Sequence, residues 1–334
     1  MNKKIGLQSL RYANPPVILT TASIAGKMEG EGKLKDYYDK ILPDNLNGHD
    51  SWEKCESSML EWAITTAITK GGLSIDTVDC ILAGDLLNQL TATHFALRNL
   101  NRPFLGLYGA CSTLAESMLL GSVLIDGGYA ENVAVAVSSH HDTAERQYRF
   151  PTEQGVQRPP MAQWTVTGSG SVLLSHTGSG PKVTYSTIGK IVDFGVKDPN
   201  EMGAAMAPAA ADTIYQHFID TGTGPHDYDR IFTGDLGKVG KELTIHLLAE
   251  KRYEIQQIYE DCGCLIYKDE QDTHSGASGC ASSALAFCGY IINELIRQNW
   301  HRILFVGTGC LHSTTSYQQK ESIPCIAHAV VVEN

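Results

Sequence analysis

The chain has 334 residues, 43% of them hydrophobic, and carries 26 lysines and arginines against 37 aspartates and glutamates, a formal net charge of -11. That length builds a large core and more than one domain, or a duplicated one. The acidic balance and the lack of a long basic run exclude a general nucleic-acid binder.

Met1 to Gln8 is too polar for the core of a signal peptide, and no apolar run is long enough to span a bilayer. Val17 to Ala22 reads as a first buried strand, and Gly26 to Gly48 as a charged surface excursion. Apolar spacing predicts a helix over Trp52–Lys70, stopped by Gly71-Gly72. A strand follows at Val78–Gly84 and a short helix between Asn88 and Asn99. The stretch Tyr108-Gly109-Ala110-Cys111-Ser112 is a small-residue turn that delivers a cysteine to the start of a helix running from Thr113 to Ile125. Unpaired N–H groups and the dipole at such a start favour a thiolate, or hold a carboxylate or oxyanion. Asn132–Ser139 is a valine-rich strand, His140 to Trp164 a long functional loop, and Ser169–Ser175 a closing strand.

The second half repeats this order. Gly84-Asp85-Leu86 recurs as Gly234-Asp235-Leu236, each at the end of a strand. The offset that carries Val137 onto Val306 also carries Cys111 onto Cys280, in Ser278-Gly279-Cys280-Ala281. Two copies of an alternating strand and helix pattern imply an α/β fold with mixed sheets covered by helices. The halves are taken as residues 1–177 and 178–334.

The nine cysteines are scattered, and are read as reduced and mostly buried. Cys262-Gly263-Cys264 is too tightly spaced for a zinc knuckle and lacks a second pair. Histidines are not grouped with carboxylates at metal spacing, so neither a metal site nor a cofactor is expected.

This duplicated plan, with an Ala-Cys-Ser turn entering a helix in the first half, resembles the thiolase and ketoacyl-synthase superfamily. The longer stretches Tyr108–Glu116, Ser138–Pro151, Thr233–Gly237 and Ser275–Cys280 resemble the stage V sporulation AD family of spore-forming Bacillus-type bacteria. The resemblance implies layered αβαβα architecture and a binder of dipicolinic acid (pyridine-2,6-dicarboxylate). It implies uptake of that acid into the developing spore and its release in germination. It also implies a peripheral place on the inner spore membrane, beside membrane proteins of the same operon. Calcium would enter only as the ligand's counterion. In the superfamily the strand after the nucleophile helix pairs with a two-fold mate; here that strand is Asn132–Ser139, so a homodimer is expected.

Cys111 stands at the superfamily's nucleophile position, but the surrounding machinery departs from the pattern. Where condensing enzymes carry a histidine in the loop after a second-half strand, this chain has Gly234-Asp235. His274 precedes Gly276-Ala277-Ser278-Gly279 one residue closer than in thiolases, and Cys310 does not match their late Cys-x-Gly. The chain therefore reads as a fold that has lost turnover and kept a pocket.

A flat dianion needs N–H donors, cations and a slot for a ring. The candidates are Cys111, Ser112, His140, His141, Arg146, Arg149, Asp235, His274, Gly276 and His312. Neighbours in an extended strand alternate sides, so at most one of His140 and His141 faces the pocket. Two other functions stay open: an acyltransferase using Cys111 as nucleophile with His274 as base, and a scaffold for membrane partners with an empty pocket.

Overall fold

The computed structural model describes residues 3–148 and 158–334. In chain order, the first half supplies β1 (Val17–Ala25), α1 (Trp52–Lys70), β2 (Cys80–Gly84), β3 (Phe104–Gly106), α2 (Thr113–Asp126), β4 (Asn132–Ser139), α3 (His141–Tyr148) and β5 (Gly168–Ser175). The second supplies β6 (Lys182–Thr187), α4 (Met202–Thr221), β7 (Arg230–Thr233), α5 (Gly237–Glu250), β8 (Tyr259–Asp261), α6 (Cys280–Leu285), β9 (Arg302–Cys310) and β10 (Cys325–Glu333).

The strands form one hydrogen-bonded path, β8-β7-β9-β10-β6-β1-β5-β4-β2-β3. Each half contributes five strands in the same spatial order: its third, second, fourth, fifth and first. In each half the second strand runs parallel to the third and fourth, and the fifth is antiparallel to both its neighbours. The halves meet edge to edge where β6 touches β1, through Lys182 and Val17.

Burial follows from pattern. Ser51 caps α1 by accepting from the Lys54 N–H, and Cys55, Met59, Leu60, Ala63, Ile64, Ala67 and Ile68 form its buried face. α2 is apolar around most of its circumference, because it packs on β2, β4 and β5 from one half and on β9 and β10 from the other. A helix covered on both sides cannot keep a polar stripe. α6 packs on α2 and on β1, β4 and β5, so the two cysteine-led helices make the middle layer of an α/β stack.

Val133 to Val137 of β4 are fully buried, as the unbroken apolar run requires. Both edges of β4 are nevertheless taken, by β2 and by β5. Pairing of this strand with a two-fold mate, expected from the resemblance, is thereby ruled out. The strand at the end of the path in that half is β3, where Leu105 is exposed. A second departure is α3, which lies inside the stretch read as a loop. Only Ala144 and the terminal Tyr148 in it are apolar, so no periodic signal marks it. Its first turn is fixed by polar bonds instead: the Ala144 N–H donates to the His140 carbonyl (3.0 Å), and Thr143 Oγ1 donates to the buried Glu56 carboxylate (2.8 Å).

Candidate functional site

The Cys111 turn is held by its own side chains. Ser112 Oγ donates to the Gly109 carbonyl (2.6 Å), and Thr113 Oγ1 donates to the Ala110 carbonyl (2.6 Å) while accepting from the Gly109 N–H (3.0 Å). Ala110 is left-handed, with φ 50°, a conformation that turns the chain sharply into α2. Strand β9 of the other half comes up directly against this turn. It can do so because alternate positions there are glycine: a Cβ on Gly309 would lie 2.2 Å from the Gly109 carbonyl oxygen, and one on Gly307 would lie 2.7 Å from Ala115 Cβ.

Behind Cys111 stands Asp235, fully buried. Its carboxylate accepts from the Gly279 N–H (2.9 Å) and from Thr308 Oγ1 (2.9 Å). The Cys111 thiol is pushed well above its ordinary pKa, first by burial and then by the negative charge of Asp235. The expectation that the helix start would favour a thiolate therefore fails: desolvation and a facing carboxylate outweigh the helix dipole. Burial raises Asp235 itself to about 6, against the opposing pull of its hydrogen bonds.

Cys111 opens on a small cavity, with about 40 Å³ of space for water-sized molecules, room for roughly three waters. Its wall includes Tyr108, Glu145, Tyr148, Thr165, Met202, Ser278, Cys310 and His312. Thr165 and Ser278 are brought in by a two-stranded ladder that joins Trp164–Thr165 to Ala277–Ser278. Thr165 Oγ1 donates to Glu145 Oε1 (3.0 Å). Among the described residues that line the cavity there is no lysine or arginine.

Of the residues singled out in the sequence, Cys111 and His312 line this cavity, and Asp235 acts on Cys111 through its charge. Ser112 is spent on the turn. His140 is fully buried elsewhere, with its Nε2 2.8 Å from the Asn45 carbonyl oxygen and its Nδ1 accepting from the Asp142 N–H. His141 stacks on Trp164, with ring centroids 3.8 Å apart. Arg146 pairs with Glu53 and lies over the Trp52 ring, outside the cavity wall. His274 lies beside Asp272, 3.8 Å away, and is not in the wall. Gly276 holds a backbone with φ 121°, where a Cβ would meet the Gly263 carbonyl at 2.5 Å, a packing role. Arg149 lies outside the described residues. Sequence reasoning missed Tyr148, Glu145 and Met202. Tyr108 alone had a signal, since it opens the cysteine turn.

Two layers of comparison place this architecture. The fold is that of the thiolase-like condensing enzymes. The chain is similar to 3-oxoacyl-[acyl-carrier-protein] synthase III from Aquifex aeolicus VF5, with TM-score 0.57 and 14% identity over 96% of this chain and 100% of the other. It is also similar to OleA from Xanthomonas campestris, with TM-score 0.61 and 14% identity over 96% and 98%. The profile of the Stage V sporulation protein AD (SpoVAD) family matches residues 6–333. Stage V sporulation protein AD of Bacillus subtilis (strain 168) is 44% identical over 331 residues, 99% of this chain and 98% of the relative. The chain belongs to the stage V sporulation protein AD family.

Proposed function

We propose that this chain is a non-catalytic binding protein that takes dipicolinic acid in the former active-site pocket, for uptake into the developing spore and release in germination. The observation that carries the loss of turnover is the buried Asp235 carboxylate beside Cys111, which with burial holds the thiol's pKa well above its ordinary value. A condensing enzyme needs a nucleophile poised as thiolate and donors for an oxyanion. Here a buried carboxylate repels the charge that catalysis would create on the thiol. What remains is a pocket at a helix start, walled by tyrosine rings and by the hydroxyls of Tyr108, Tyr148, Thr165 and Ser278, which offer ring faces and hydrogen-bond donors to a flat acid once the wall widens beyond its present room for about three waters.

The proposal extends to the setting. No helix among the described residues is long and apolar enough to cross a membrane. A peripheral place on the inner spore membrane would come through membrane proteins of the same operon, and calcium would arrive as the ligand's counterion. A homodimer would join through an edge other than β4; light scattering on the purified protein tests it.

Calorimetric titration with dipicolinate and its positional isomers tests the function. The 2,6-diacid is expected to bind and raise the melting temperature in proportion to the logarithm of its concentration above Kd. Equal binding of all isomers, or of none, refutes a dedicated site. The fold's likeness to 3-oxoacyl synthase III favours one second reading, an acyltransferase with Cys111 as nucleophile. An acyl adduct on Cys111 after incubation with acetyl-CoA or malonyl-CoA, seen by intact mass, would establish it.

A further inference from the structure

Strand β9 ends on Cys310 and β10 begins on Cys325, and the two thiols stand directly opposite each other on the last rung of the antiparallel ladder between those strands. The neighbouring bonds fix the kind of rung. The Cys325 N–H donates to the Val192 carbonyl (2.9 Å) and the Val192 N–H donates to the Cys325 carbonyl (2.8 Å), so both backbone groups of Cys325 point away from β9. The next bond toward the loop runs from the Leu311 N–H to the Pro324 carbonyl (2.9 Å). Cys310 and Cys325 are therefore a non-hydrogen-bonded pair, the kind whose Cα atoms stand closest, about 4.5 Å apart. Partners on a rung project to the same face. Here both belong to one buried cluster, with Val306 and Ala329 from a rung further along the same ladder.

We propose that Cys310 and Cys325 are a site of reversible oxidation, closing as a cross-strand disulfide at the base of the loop 311–324. A disulfide spans Cα separations of about 4.4–6.8 Å, so the ladder's own spacing brings the pair within reach. Burial does not isolate it. The rung is terminal, the loop beyond it starts on the exposed Leu311, and fraying of a terminal rung bares both sulfurs. The oxidant is a small-molecule disulfide. One cysteine, as thiolate, attacks a sulfur of that disulfide, forms a mixed disulfide and expels one small thiolate. The other cysteine, as thiolate, attacks the protein sulfur of the mixed disulfide and expels the second. The small disulfide takes up two electrons and two protons and leaves as two thiols.

The pair touches the site through Cys310, which lines the Cys111 cavity. Closure turns the Cys310 sulfur from the cavity wall toward β10 and breaks the contact of Cys325 Sγ with the Ile323 carbonyl (3.4 Å). It also ties together the two ends of the loop that brings His312 to the wall. None of this depends on which ligand the pocket takes.

The test treats the folded full chain with bis(2-hydroxyethyl) disulfide, blocks the remaining thiols with iodoacetamide and maps peptides by mass spectrometry without reduction. A peptide pair joining Cys310 to Cys325, lighter by two hydrogens, is expected. The melting temperature should rise by about 4 °C, as closure of so short a loop does in a chain of this size. Dithiothreitol should reverse both. Cys310→Ser and Cys325→Ser, treated in the same way, should show neither the link nor the rise. The wild-type map needs no variant, so misfolding of a serine variant leaves the test intact. No link, a link from Cys310 to Cys111 instead, or a Cys310–Cys325 link that forms only in denaturant overturns the proposal.

Discussion

The buried Asp235 carboxylate raises the pKa of the Cys111 thiol across the boundary between the two halves of the fold, adding to the effect of burial. The charge of the aspartate works against thiolate formation. Asp235→Asn removes that charge; its single amide oxygen can still accept from the Gly279 N–H, while the amide NH2 takes the place of the oxygen that accepts from Thr308 Oγ1, whose hydroxyl can turn to accept. The pH profile of Cys111 alkylation is expected to move to lower pH in this variant. A profile identical to wild type would mean that burial alone sets the thiol.

The same raised thiol predicts silence toward thioesters. With the thiol held protonated at neutral pH, acetyl-CoA should leave no acyl adduct on Cys111 in the wild-type protein. Asp235→Asn should stay silent too, because it supplies no base. Intact-mass measurement after prolonged incubation checks both proteins, and an adduct on either would restore the enzymatic reading.

Gly309 is where the halves press closest. A Cβ there would lie 2.2 Å from the Gly109 carbonyl oxygen and 3.1 Å from the Ser112 N, both backbone atoms of the cysteine turn. Neither can yield without moving Cys111. Gly309→Ala should therefore cost about 2–3 kcal/mol in denaturant unfolding, in the range of overpacking, and weaken ligand binding as well. Near-wild-type stability would mean that β9 and the turn are more loosely seated than their contacts show.

Much of this was legible in the sequence. Unbroken valines in β4, the apolar spacing of α1 and the small-residue turn before α2 each have a local pattern that packing then uses. The repeat correctly paired Asp85 with Asp235: both are buried at strand ends and accept backbone N–H groups, Asp85 from Leu87 and Thr93. The cavity wall was mostly illegible. His140 looked like a pocket residue beside His141, yet its partner is the Asn45 carbonyl, distant in sequence. Tyr148 gave no signal because α3 has no apolar period, and the Cys111 shift comes first from burial and then from a carboxylate of the other half, neither of which the local sequence shows.

Arg146 tests the boundary of the site. Its guanidinium pairs with Glu53 and lies 5.4 Å from the Trp52 ring centroid, on the outer face of α3. Arg146→Ala should leave dipicolinate affinity unchanged and cost at most about 1 kcal/mol of stability, as partly exposed pairs do. A large loss of affinity would draw this face of α3 into the ligand site.

Glu29 offers a pH test free of the pocket. It is fully buried, accepts from the Thr167 N–H (3.0 Å) and from Tyr267 Oη, and burial lifts it to about 7. An unfolded glutamate titrates near 4.3. Between these values the folded chain holds a proton that the unfolded chain has released, so the stability conferred by Glu29 is present at low pH and lost as pH rises through about 7. His217 and His328, which burial lowers to about 3 and about 4, act with the opposite sign by taking up protons only on unfolding. Comparing wild type with Glu29→Gln cancels the histidines, since both proteins share them. Chemical unfolding at pH 8 and pH 6.5 should show wild type gaining roughly 1 kcal/mol over Glu29→Gln on acidification. A difference that stays flat, or that grows with rising pH, would mean that Glu29 is ionised in the folded protein.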